Sequence, residues 1–173
     1  MIRKIKIVKI DSNYCDYLRK FNNKVPYNEG IKELRPFIDI LFIIGDYEYF
    51  VPLSSPKIKH KSLKNTIDLL KINDGIYGVV NFNNMIPVES NNYINFYLSI
   101  DNKDKDEIKI INLLRNQLRW LTSNRKEIMN KSRLLYNLYK NDKLPDNVKC
   151  RCCNFPLLED KCDKYIDQNK CSS

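Results

Sequence analysis

Apolar and polar positions alternate with two different periods along this chain. Over Ile2–Ile10, Ile5, Ile7 and Ile10 face one way while Lys4, Lys6 and Lys9 face the other. A period of two predicts a strand with one wet face. Asp11 or Ser12 can then cap a helix through Asn22, whose Tyr14, Tyr17, Leu18 and Phe21 share one side. Lys24-Val25-Pro26 ends it, and Tyr27–Pro36 reads as a loop. Phe37–Ile44 and Tyr47–Leu53 are β-rich runs around Gly45-Asp46, a predicted hairpin. Ser54–Lys64 is polar and basic and reads as an exposed loop. Thr66–Ile72, Tyr77–Phe82 and Met85–Val88 are further short strands, and Tyr93–Ile100 is a strand or an irregular connector.

After Asp101 the period changes. Ile108, Ile111, Leu114, Leu118 and Leu121 recur every three or four residues, and Ile128, Leu135, Leu138 and Tyr139 continue the pattern. Pro145 separates these helices from a last one within Asn154–Asn169. Strands first and helices later predict an α+β fold: a compact antiparallel sheet or small barrel with helices on one side and a mainly helical C-terminal half. The 173 residues, with neither repeat nor low-complexity linker, predict a single domain over 1–173.

Composition narrows the function classes. Thirty Lys+Arg against 21 Asp+Glu leave a net charge of +9, which favours a polyanionic partner such as nucleic acid. Lysine-, asparagine- and isoleucine-rich composition is also what codon bias would produce. The lysine-broken N-terminus carries no signal-peptide stretch, and the apolar run around Phe37–Ile44 is too short to span a bilayer. These features predict a cytoplasmic chain whose six cysteines stay reduced. One histidine, His60, excludes a two-imidazole nuclease. No P-loop, G-x-G-x-x-G or G-x-S-x-G is present, and no helix-turn-helix argues for DNA. The acidic run Asp101–Glu107 lacks calcium-loop glycine and is expected to be a helix N-terminus. Cys150, Cys152, Cys153, Cys162 and Cys171 have poor zinc spacing and fit better as small hydrophobes.

One segment concentrates donors and positive charge. In Val51-Pro52-Leu53-Ser54-Ser55-Pro56-Lys57, two hydroxyls, a rigid proline and a lysine stand where a strand leaves the sheet, followed by Lys59, His60, Lys61 and Lys64. Such a cluster can hold a phosphate, although a solvated turn has the same composition.

On this segment and others in order, the chain resembles the ToxN/AbiQ endoribonuclease toxins of type III toxin–antitoxin systems. The matching stretches are Tyr17-Leu18 with Lys24-Val25-Pro26; Pro36-Phe37-Ile38; Val51–Lys57 with His60; Asn81 with Met85-Ile86-Pro87; Gln117-Leu118 with Asn124, Ile128 and Lys131-Ser132; and Cys153-Asn154-Phe155 with Leu157-Leu158-Glu159. The P-L-[ST]-S-P-K block and the C-N-F-x-L-L-E ending are the specific parts; Cys150, Cys152, Cys162 and Cys171 depart from the pattern.

The resemblance implies a Kid/MazF-like antiparallel core and RNA cleavage without a metal or other cofactor, leaving a 2′,3′-cyclic phosphate and a 5′-hydroxyl. It implies a cognate antitoxin RNA of pseudoknot repeats, which the toxin processes and which blocks it in a closed protein–RNA assembly. Cellular or phage mRNA would be the substrate, with single-stranded, A-rich sites expected, and no membrane or DNA partner. Free toxin would halt growth, with a role in phage abortive infection or in plasmid or locus maintenance. Ser55 and Lys57, then Ser54, carry the expected chemistry, with Arg35 and His60 as further catalytic candidates. Lys24, Lys59, Lys61 and Lys64 are expected to bind RNA. Lys24 and Arg35 approach the same pocket by resemblance. His60 could shuttle a proton, contact phosphate or be a solvated loop side chain. The rival reading is a basic RNA-binding module without catalysis.

Overall fold

The computed structural model describes residues 5–26, 37–44 and 47–171, with 37–44 and 166–171 described through their backbone. Strands β1 (Ile7–Ile10), β2 (Phe37–Ile44), β3 (Tyr47–Ser54), β4 (Leu69–Lys71), β5 (Val79–Asn81), β6 (Ile86–Val88) and β7 (Tyr93–Asn95) form one antiparallel sheet. Its order is β4-β5-β3-β2-β1-β7, with β6 on β3. Among the described residues this path is open, with β4 and β7 at its ends, so the sheet is not the closed small barrel that was one expectation.

Strand β3 organises the sheet. One edge pairs with β2 as the predicted hairpin, Phe37 opposite Pro52 and Ile44 opposite Tyr47, with an irregularity between Ile40 and Ile43. Its other edge is shared: Glu48–Phe50 pairs with β6, and Leu53–Ser54 with β5. Pro52, which has no N–H to donate, falls between these two pairings, where a central strand tolerates proline. The residues that follow are therefore carried out on the firmly paired end of a strand.

Helices α1 (Ser12–Arg19), α2 (Ile58–Ser62), α3 (Lys105–Ser123), α4 (Arg125–Lys140), α5 (Asp146–Lys149) and α6 (Phe155–Cys171) complete the fold. The C-terminal half is mainly helical, as its period predicts. Asp11 caps α1, accepting from the N–H groups of Asn13 at 2.7 Å and Tyr14 at 3.2 Å. This helix stops at Arg19, before Asn22, and Phe21 sits exposed beneath the Lys161 ammonium, 4.5 Å from its ring centre. The acidic run is a capping box. Asp104 accepts from the N–H groups of Asp106 and Glu107, and Glu107 accepts from that of Asp104 at 3.1 Å.

The core joins both halves. Tyr14, Leu18, Tyr49, Phe50, Leu70, Phe82 and Phe155 are fully buried, with Leu121, Leu135 and Leu158 packed into the same cluster. Cys15, Cys152, Cys153 and Cys162 are buried free thiols within it, and burial pushes Cys152 and Cys162 up to about 11 and Cys15 and Cys153 up to about 12. They act as small hydrophobes. Among the described residues no helix is long and apolar enough to cross a membrane.

Three expected strands are shorter than their apolar runs. Thr66–Ile72 yields only β4, Tyr77–Phe82 only β5, and Tyr93–Ile100 only β7. Side-chain and loop hydrogen bonds replace the ladder around them: Lys71 N–H donates to Asn65 Oδ1 at 2.8 Å, and Arg115 donates to the Leu98 carbonyl at 2.7 Å. The expected turn at Gly45-Asp46, the loop Tyr27–Pro36 and Arg35 within it lie outside the described residues.

Candidate active site at the β3–α2 corner

Ser54 is the last residue of β3, opposite Val79 of β5. Two residues further along β5, Asn81 donates from Nδ2 to Ser54 Oγ at 2.7 Å. The hydroxyl oxygen is thus held on one side, while its own proton stays available for donation. Ser55, Pro56 and Lys57 follow, all exposed. Pro56 confines Ser55 to extended conformations, so this serine leaves the strand with little freedom.

The expected exposed loop Ser54–Lys64 is only partly one. Ile58–Ser62 forms α2, and His60 turns inward with 3% of its surface exposed. This overturns the solvated-loop reading of His60. Its backbone N–H donates to the Lys57 carbonyl at 2.9 Å, and its Nδ1 accepts from the Lys57 N–H at 3.2 Å. An accepting Nδ1 assigns the proton of the neutral ring to Nε2. Burial, then the charges of Lys57 and Lys59, lower the His60 pKa from its usual value near 6.5. The imidazole therefore stays neutral at pH 7 and fixes the backbone from which the Lys57 ammonium extends.

Beneath this corner lies a turn of which sequence reasoning marks only Asp74-Gly75, as punctuation between strands. Gly75 and Gly78 have φ of 88° and 97° and are buried. A methyl group on Gly78 would lie 1.9 Å from the Ser54 carbonyl oxygen and 3.1 Å from the Ser55 carbonyl carbon. One on Gly75 would lie 2.7 Å from the His60 carbonyl oxygen. Only glycine serves at either position, for both its left-handed backbone and its close approach. The available signal is that two of four glycines stand three residues apart, Gly75 after the expected strand Thr66–Ile72 and Gly78 inside the expected strand Tyr77–Phe82. Asn81 belonged to a matching stretch but had been given no role.

The remaining candidates spread outward. Lys59 and Lys61 lie on α2 and Lys64 just beyond it, all exposed. Lys24 is exposed at the far end of β5's continuation, where Asn84 donates to its carbonyl at 2.9 Å. Next to this strip, Arg151 grips buried Asp68 through Nε and Nη2 at 3.0 and 3.1 Å. Burial alone would raise the Asp68 pKa, but hydrogen bonds from Arg151 and Thr66 outweigh it and hold the carboxyl below the usual range. Among the described residues, no group of three or more His, Cys, Asp or Glu could hold a metal ion.

A strand-end corner with two hydroxyls, a backbone-anchored lysine and a basic surround is a candidate phosphate-handling site on an antiparallel α+β scaffold. Comparison with known proteins gives this class a family. Residues 6–163 match the family described as "Toxin ToxN, type III toxin-antitoxin system". The endoribonuclease ToxN of Pectobacterium atrosepticum is 32% identical over 174 residues, covering 96% of this chain and 95% of that protein. A solved structure of a bacterial type III system, in which a non-coding RNA pseudoknot selectively inhibits the toxin, aligns with a TM-score of 0.77 at 29% identity, covering 94% of this chain and 98% of the other. The structure of AbiQ, a lactococcal anti-phage endoribonuclease of the type III class, aligns with a TM-score of 0.81 at 26% identity, covering 95% and 99%. The chain belongs to the ToxN family of toxins from type III toxin–antitoxin systems.

Proposed function

We propose how this chain, an endoribonuclease toxin with a role in antiviral defence, cuts RNA: the substrate's own 2′-hydroxyl attacks the adjacent phosphate, without a metal, at the Ser54–Lys57 corner. The oxygen–phosphorus bond to the 5′-oxygen breaks as the 2′-oxygen bond forms, giving a 2′,3′-cyclic phosphate and a 5′-hydroxyl. The observation that carries this reading is the twofold anchoring of the corner, Ser54 Oγ by Asn81 and the Lys57 backbone by His60. Catalysis of this type needs in-line positioning and charge stabilisation more than a strong base. Ser55 donates to a non-bridging phosphate oxygen or orients the 2′-hydroxyl. Lys57 neutralises the charge that grows on the phosphate and the departing 5′-oxygen. Ser54 supports the same phosphate, and His60 acts on Lys57 through the backbone.

The partner in this reading is a cognate antitoxin RNA of pseudoknot repeats, held in a closed protein–RNA assembly. Cellular or phage mRNA is the substrate, met in the cytoplasm. Relatives inhibited by an RNA pseudoknot and active against phage support it, as does the +9 charge. Lys24, Lys59, Lys61 and Lys64 contribute phosphate contacts, and Arg35 is a further catalytic candidate by the family resemblance. The antiparallel core flanked by helices is in keeping with a Kid/MazF-like core and a single toxin domain over 1–173.

The deciding experiment incubates purified, RNA-free protein with an unstructured A-rich RNA. The reading predicts cleavage by the parental chain and loss of it in Ser55→Ala. Intact RNA with the parental protein would leave a non-catalytic RNA-binding module.

A further inference from the structure

The Ile72–Gly78 turn supports the corner from below, and the turn itself is tied to the helical half. Gly78 packs against the Ser54 and Ser55 backbone, and Gly75 against that of His60. The turn is closed by its own backbone: Ile72 N–H donates to the Gly78 carbonyl at 2.9 Å, and Tyr77 N–H to the Ile72 carbonyl at 3.2 Å. Its Tyr77 carbonyl accepts from Nε2 of Gln117, 40 residues away on α3, at 2.7 Å. Gln117 is 2% exposed. Its Oε1 is buried with no hydrogen-bond partner among the described residues.

That is an unusual choice for a packing position. A buried amide acceptor left unmade is costly, and a leucine or methionine would fill the space without it. The amide is therefore kept for what its other end does. Its orientation is set by the carbonyl it meets, since turning the amide over would face oxygen to oxygen. We infer that Gln117 is a positioning residue for RNA cleavage: from α3 it holds the Ile72–Gly78 turn in the one place where glycine contact sets the Ser54–Ser55 peptide and the His60–Lys57 turn. The inference rests on the reading that this corner cuts RNA. A shift of the floor moves the serines and the lysine together. Antitoxin binding, spread over exposed lysines that include Lys24 and Lys64 away from this turn, should change less.

The test compares the parental protein with Gln117→Met, Gln117→Glu and Ser55→Ala, measuring cleavage kinetics, antitoxin RNA affinity and thermal unfolding. Methionine keeps the length of the side chain and removes the donor. It should lower kcat about ten- to hundredfold, the scale of an ångström-sized misplacement, with KM and antitoxin affinity within about twofold of the parent. Gln117→Glu decides the matter independently of how the methionine variant folds. A protonated carboxyl can donate to the Tyr77 carbonyl and a carboxylate cannot, so its rate relative to the parent should rise as pH falls. A flat ratio across the pH range in which the introduced carboxyl titrates, located from the pH dependence of stability relative to the parent, overturns the inference. So does a Gln117→Met protein with parental kcat, or one whose loss follows only its folded fraction, beside an inactive Ser55→Ala. A parental rate in Ser55→Ala itself overturns the reading of the corner instead.

Discussion

The β3–α2 corner and the C-terminal helix carry the two most specific stretches of the sequence, and they use polar residues in opposite ways. In Pro52–Lys57, Ser55 and Lys57 end in solvent and Ser54 is half-buried, and the partners of Ser54 and Lys57 fix orientation without consuming the proposed reactive groups. In Cys153–Glu159 the polar group is sealed. Glu159 is 8% exposed and accepts at Oε1 from the hydroxyls of Tyr49 at 2.7 Å and Tyr136 at 2.6 Å, with Lys140 3.7 Å from Oε2. Burial and the neighbouring carboxylate raise both tyrosine pKa values, so they remain donors throughout the physiological range. This carboxylate joins β3, α4 and α6 at one point beside the aromatic cluster of Tyr49, Tyr136 and Phe155. A specific motif therefore identifies either chemistry or assembly, and only burial and partners tell which.

Four results would break or sharpen that contrast. The largest effect belongs to the corner. Lys57→Ala and Ser55→Ala should each lower RNA cleavage about 10²–10³-fold, the usual loss for one preorganised donor. Their melting temperatures should match the parent, and expression without antitoxin should become tolerated. Growth arrest at parental strength by folded Ser55→Ala would remove it from the mechanism.

Glu159→Ala should do the reverse. It leaves two buried hydroxyls without their acceptor and should lower stability by about 2–4 kcal/mol in a urea titration. Cleavage per folded molecule should hold. If instead rate fell and stability did not, the C-terminal carboxylate would have to be counted as part of the site.

Asn81→Ala tests the orientation of Ser54. Loss of one hydrogen bond of about 1 kcal/mol predicts a five- to tenfold slower cut, with little change in melting temperature. An unchanged rate would show that Ser54 needs no such support.

The smallest effect is the pH dependence set by His60. Its folded pKa is lowered, so its contribution to stability is present above about 6.5, its usual value, and is lost as pH falls through the lowered value. Protonation also removes the Nδ1 acceptor that holds Lys57. Cleavage should therefore fall on an acid limb with a midpoint below 6.5, and His60→Gln should flatten that limb. Persistence of the same limb in His60→Gln would assign it to another group.

The sequence made the architecture readable where periodicity is strong. The helices after Asp101, the α1 cap at Asp11 and the β2–β3 hairpin follow from spacing and capping chemistry alone. It misjudged Ser54–Lys64, because a short helix of five residues has no period to detect and a lone histidine among lysines looks solvated. It overestimated three strands because apolar runs such as Tyr93–Ile100 need a partner along their whole length, and no spacing in the chain reports that. In the site, the serines and Lys57 stood out by type and by resemblance. Asn81, Gly75, Gly78 and Gln117 act on them across 27, 15, 24 and 40 positions or through a neighbour's backbone, and such contacts exist only once the chain is folded.

The central claim is that this corner cuts RNA with its own side chains. Its most direct test is single-turnover cleavage of an unstructured RNA in excess EDTA, with the product ends analysed, by parental protein and by Lys57→Ala. The account predicts 2′,3′-cyclic phosphate and 5′-hydroxyl ends from the parent at an undiminished rate, and a loss of about 10²–10³-fold in Lys57→Ala. Cleavage abolished by the chelator and restored by Mg²⁺ would contradict it and move the mechanism to metal-ion catalysis.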